Sequence, residues 1–127
     1  MDDIRRVPAN TIVRMAGSKG WQEKVVLWHG VKILVHPFLH YSEYMETINS
    51  IVDYCTTEDG TVHAELFDLA SRAAVIGAYA LVRLPSEMDD LMYVVFHSDL
   101  YDFIRSEVCL EQTESIVRVA REIVCRG

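Results

Sequence analysis

"VVLWHGVKILV", residues Val25 to Val35, is the stretch whose reading decides the fold. Aliphatic and β-branched residues alternate on both sides of His29-Gly30, the pattern of two short strands joined by a tight turn. Gly30 supplies the positive φ that such turns require. Val25, Leu27, Ile33 and Val35 are expected on one face, and Val26, Trp28 and Leu34 on the other. Pro37 ends the second strand because it has no amide hydrogen to give to a ladder. The outward face bearing Trp28 and Val26, and the open strand edge beside it, are expected to receive a partner.

The chain before the hairpin has no sustained period. Pro8, Asn10, Gly17, Ser18 and Gly20 interrupt apolar pairs such as Ile12-Val13, so residues 1–23 read as an irregular lead-in or arm with at most one short strand. Residues 24–127 then form one hairpin-plus-helical domain. "YSEYMETINSIVDYC" carries Ser42 as a candidate N-cap and Met45, Ile48, Ile51, Val52 and Cys55 at helical spacing. "VHAELFDLASRAAVIGAYALVRL" follows, almost without a polar face between Ala73 and Val82, and reads as a long central helix enclosed by others. Ser86 with Asp89, then Ser98 with Asp99, mark two further helix starts, and a last amphipathic helix spans about Glu111 to Arg126. The fold class is therefore α+β, mainly α: an N-terminal β-hairpin followed by a compact bundle of about five helices around a buried central one.

The chain has 127 residues, half of them hydrophobic, enough for a proper core. No apolar run reaches the length of a membrane span, and the start lacks the layout of a secretory signal, so a soluble, unexported protein is expected. Cys55, Cys109 and Cys125 form no CxxC pair and leave one thiol over, which suits a reducing compartment. The net charge of −7 is unevenly spread. Residues 1–35 hold six basic side chains against three acidic ones, a local +3, and the other six basic and sixteen acidic residues leave −10 for the remainder. An acidic body repels phosphate backbones, so nucleic acid is not expected as a partner.

Chemistry is sparse. His36 and His40 are four apart, but Pro37 between them breaks the helical geometry that would point both at a metal. A metal there needs two further donors, such as His63 or Cys55. The sequence has no GxSxG elbow, no GxxxxGK[ST] and no GxGxxG. The acidic pairs Glu58-Asp59 and Asp89-Asp90 fall where loop acids and first-turn helix acids are ordinary. No catalytic, cofactor-binding or metal residues are assigned. What remains is surface: Tyr41, Tyr44 and Tyr101, with Trp28 and Val26 of the hairpin and Arg5 and Arg6 of the lead-in, form the candidate interaction set.

The order of features resembles small proteins encoded among the tail and neck genes of tailed bacteriophages of Gram-positive hosts. The residues that carry it are Trp28, Gly30, Val31, Ile33 and Val35, then Phe38-Leu39, Asp59-Gly60, and Leu100, Tyr101 and Asp102. The lead-in and the absence of lysine beyond Lys32 depart from that pattern. The resemblance implies a non-enzymatic role in virion morphogenesis, as a tail assembly chaperone or a connector. Its partners are then other phage structural proteins or further copies of itself, met in the host cytoplasm during assembly or in the virion. An alternative from another class is a small acidic inhibitor or adaptor that fills a basic groove on a host protein. A third is a hydrolase or metal protein organised around His36, His40 and His63.

Overall fold

A computed structural model describes residues 6–16 and 22–126. Six α-helices, one short 3-10 helix (Ala64–Leu66), one π-type turn and one two-stranded antiparallel sheet make up the regular structure of these residues, so the fold is α+β and mainly α. Strands β1 (Lys24–Trp28) and β2 (Val31–Val35) are joined by His29-Gly30, both at positive φ, 49° and 79°. That pair of left-handed residues is the turn whose twist matches a two-residue hairpin.

A two-residue turn also fixes which side chains share a face. Trp28 lies opposite Val31, Val26 opposite Ile33, and Lys24 opposite Val35. Opposite residues project to the same side, so Val26, Trp28, Ile33 and Val35 form the inward face, and Val25, Leu27, Lys32 and Leu34 the other. This corrects the expected faces: Trp28 and Val26 turn toward the core, half-buried, whereas Val25 and Leu27 are 61% and 62% exposed.

Helices α2 (Tyr41–Tyr54), α3 (Phe67–Tyr79), α5 (Leu100–Glu107) and α6 (Leu110–Arg126) form the bundle, and α3 packs on the other three. Short α4 (Met88–Met92) continues into one π-type turn, Tyr93–His97, closed by the Ser98 amide donating to the Tyr93 carbonyl. The core runs through Val35, Ile48, Ile51, Val75, Ile76, Ile104 and Ile116, all fully buried. Cys55 packs among them, and desolvation, then the charge of Glu65, pushes its thiol pKa up, away from reactive thiolate character.

Helix α3 is shorter than its apolar run. It stops at Tyr79, and Ala80 forms a β-bridge to Val35 instead. The His36 amide donates to the Tyr79 carbonyl at 2.7 Å, and the Leu81 amide to the Leu34 carbonyl at 2.9 Å. A uniformly apolar stretch carries no period, so buried helix and buried strand look alike in it. Part of the strand addition expected at the hairpin is thus supplied by the chain itself, on the β2 edge. The caps move as well: His40 precedes α2 where Ser42 was expected, because its carbonyl accepts the first helical bond, from the Tyr44 amide. Glu87 rather than Ser86 caps α4, its carboxylate accepting from the Asp89 and Asp90 amides.

The lead-in also differs from expectation. Ala9–Ala16 is a helix, α1, and not a strand, started by the Pro8 carbonyl accepting from the Thr11 and Ile12 amides. Proline suits the position because it has no amide to satisfy. No side chain of α1 is buried.

Candidate interaction surfaces

The segment between β2 and α2 is clasped through its backbone. Beyond the His36 bond to Tyr79, the Pro37 carbonyl accepts from the Cys109 amide at 2.8 Å. The Gln112 side chain then bridges both backbone groups of Leu39, Oε1 accepting from its amide at 2.8 Å and Nε2 donating to its carbonyl at 3.0 Å. The buried Tyr79 hydroxyl donates to the same Oε1 at 2.7 Å. Desolvation raises the Tyr79 pKa far above the ordinary phenol range, so this donor stays protonated. The histidines meanwhile disperse: His29, His36 and His63 meet Asp99, Glu23 and Glu65 respectively, three different carboxylates in three places. Among the described residues no three His, Cys, Asp or Glu side chains gather into a metal-sized cluster.

Trp28 and Asp99 form a second clasp. The indole Nε1–H donates to Asp99 Oδ1 at 2.9 Å, and His29 Nε2 lies 3.0 Å from the same oxygen. These contacts, His29 first and Trp28 second, hold the exposed Asp99 carboxyl below its usual pKa. At the far end of the strand, Lys24 Nζ pairs with Glu107 at 2.9 Å. Asp99 precedes α5 and Glu107 ends it, so β1 is tied to both ends of one helix. Five strand residues and eight helical ones cover about the same length, some 12–16 Å, which lets both links form. Glu58-Asp59 is likewise a structural turn: Asp59 Oδ1 accepts from the Thr57 hydroxyl and the Thr61 amide, contacts that hold its pKa at about 2.

Three surfaces remain open. The outer face of the hairpin carries exposed Val25 and Leu27, and Leu81, also exposed, is bonded beside Leu34 of the same face. In an antiparallel ladder closed by a two-residue turn, Trp28, Val26 and Lys24 bond across to β2, so the amides of Val25 and Leu27 turn toward the free edge of β1. Helix α1 is the second surface. Ala9, Ile12, Val13 and Ala16 recur at the spacing of one helix face, opposite Asn10 and Arg14. Ile12, Val13 and Met15 are all exposed. Arg6, exposed, precedes this helix, and Arg5 lies outside the described residues.

The third surface is a hollow of about 320 Å³ lined by Phe38, Leu39, Tyr41, Tyr44 and Gln112. Tyr41, 76% exposed, stacks on Tyr44 with ring centroids 6.4 Å apart, and the Tyr44 hydroxyl is 2.6 Å from Ser115 Oγ. Tyr41 and Tyr44 are therefore brought together. Tyr101 is not with them: it lies between Arg72 and Arg105, whose guanidinium carbons sit 4.9 and 5.6 Å from its ring centre. Sequence reasoning missed these arginines, which come from α3 and α5 and share no spacing.

Among the described residues no helix is long and apolar enough to cross a membrane. No family model matches the sequence, and no curated protein or solved structure matches it either.

Proposed function

We propose that this chain is a non-enzymatic assembly protein of the phage tail or neck type, working by contact with other protein chains, a second copy of itself first among them. The observation that carries this reading is α1. An eight-residue helix is marginal in water on its own, because nucleation costs more than so few hydrogen bonds return. In globular proteins such helices persist by burying an apolar face, and this one buries none. Its face of Ile12, Val13 and Ala16 fits a partner's apolar surface, and the aliphatic outer face of a hairpin is one such surface on this same chain. The +3 of the first 35 residues against the −10 of the rest adds attraction between copies placed front to body. The virion role follows the resemblance carried by Trp28, Gly30, Phe38-Leu39 and Leu100-Tyr101-Asp102.

Light scattering at micromolar concentration, alone and with the products of the neighbouring genes, tests the proposal. Self-association or a complex is expected, weakened roughly thirtyfold or more by Ile12→Asp, as for a central interface residue. The unfolding temperature should stay unchanged, because Ile12 is exposed in the monomer. A monomer that binds none of these neighbours sinks the idea. A monomer that instead shows salt-sensitive binding to a basic host protein supports the acidic inhibitor in its place.

A further inference from the structure

Six arginines are the only cations of the chain beyond Lys32 other than histidine, and three of them line one cavity. Arg105, Arg118 and Arg121 line a cavity of about 310 Å³ between α5 and α6, together with Tyr101, Thr113, Glu114 and Val117. Arg72, from α3, lies over the ring of Tyr101, one of the lining residues. We infer that this cavity is a binding site for a compact, multiply charged phosphate compound, a role independent of the assembly surfaces on the hairpin and α1.

Charge balance is the first argument. Three guanidinium groups line the cavity against one carboxylate, Glu114, which approaches Arg105 only to 4.0 Å and is mostly exposed. Among the described residues no carboxylate oxygen lies within 4.0 Å of a guanidinium nitrogen of Arg72, Arg118 or Arg121. On a chain of net charge −7, three arginines gathered in one concavity are the reverse of the surrounding surface.

Orientation is the second. Arg72 is held over Phe96 and Tyr101, at 5.1 and 4.9 Å, and Arg121 over Phe67 at 5.1 Å. A guanidinium seated on a ring face keeps its in-plane N–H groups for an anion and gives up less rotamer freedom on binding. Arginine's fork matches phosphate oxygens in pairs, which a lysine ammonium does not.

Size and surroundings select the ligand. The cavity is at the small end of the range for small-molecule sites, about 300–1,000 Å³. Asp68 and Asp102 are close enough to act on Tyr101, and Glu122 adjoins Arg121 in the sequence. This acidic frame repels a long polyanion that must run past it, whereas a compact ligand sits at the centre among the arginines. An acidic peptide needs a groove, and its single carboxylates neutralise three arginines poorly.

Titration calorimetry of the full chain with inorganic pyrophosphate tests the inference, with inorganic phosphate, hexaglutamate and a short oligothymidylate as comparison probes. Saturable one-to-one binding of pyrophosphate is expected, tighter than any of the other three. The double variant R118Q/R121Q should weaken it about tenfold or more, since two charge-assisted contacts are removed. R118K/R121K keeps the charge and loses the fork, so an intermediate loss is expected even if the glutamine variant folds poorly. R83Q, at an exposed arginine outside the cavity lining, should leave binding unchanged. Absence of saturable pyrophosphate binding at millimolar concentration, wild-type affinity in both double variants, or tighter binding of hexaglutamate or the oligonucleotide would each overturn the assignment.

Discussion

Tyr79→Ala is expected to lower the unfolding free energy by about 3–5 kcal/mol, the usual cost of emptying a large buried aromatic site. For a chain of this size that is a fall in Tm of roughly 10–20 °C. Three roles meet at Tyr79: its ring is fully buried, its hydroxyl donates to Gln112, and its carbonyl accepts the His36 amide where helix gives way to strand. Tyr79→Phe separates them. It keeps the ring and the carbonyl and removes only one hydrogen bond, so a loss of about 1 kcal/mol is expected. Equal losses in the two variants, measured by denaturant unfolding, would show that packing of the ring is not what Tyr79 contributes.

Gln112→Ala should cost about 2–4 kcal/mol, although a glutamine-to-alanine change at a helix start is ordinarily mild. The reason is the number of groups that share this one amide. The Leu39 amide, the Leu39 carbonyl and the Tyr79 hydroxyl all lose their partner together, at a place where Leu39 is almost wholly buried. A double-mutant cycle with Tyr79→Phe gives the coupling: the double variant should lose less than the sum of the singles, because the shared bond is counted twice. Strict additivity would remove Gln112 from the clasp. Neither variant touches α1 or the outer hairpin face, so whatever population remains folded should still associate.

The sequence made some of this plain and hid the rest for identifiable reasons. The hairpin was legible because His29-Gly30 and Pro37 punctuate a β-branched run, and the five helices after it because their stripes and breaks are regular. The hairpin faces were misassigned although the information was present: with a two-residue turn, Trp28 and Val31 are partners and must project together. Ala80 to Val82 had no such signal, since the same apolar residues suit a buried helix and a buried strand. Tyr41 and Tyr44 are one helical turn apart and were readable as a pair. Gln112 and the arginines were not, as they come from separate helices and meet only once α3, α5 and α6 are packed. Arg118 and Arg121 alone, three apart on α6, offered a hint.

The bridge from Ala80 to Val35 also sets an order of events in time. A hairpin closed by two residues forms within about 1–10 µs, and helix α3 can grow as locally and as fast. Joining them requires closing some 45 residues of chain for a single bridge, a search whose entropy must be met before the contact returns anything. Docking of the sheet onto the bundle is therefore expected to be slower than formation of either local element, and Trp28, whose partner Asp99 lies 71 residues away, reports on it. Stopped-flow fluorescence that reached its native value before helix formation was complete would contradict that order.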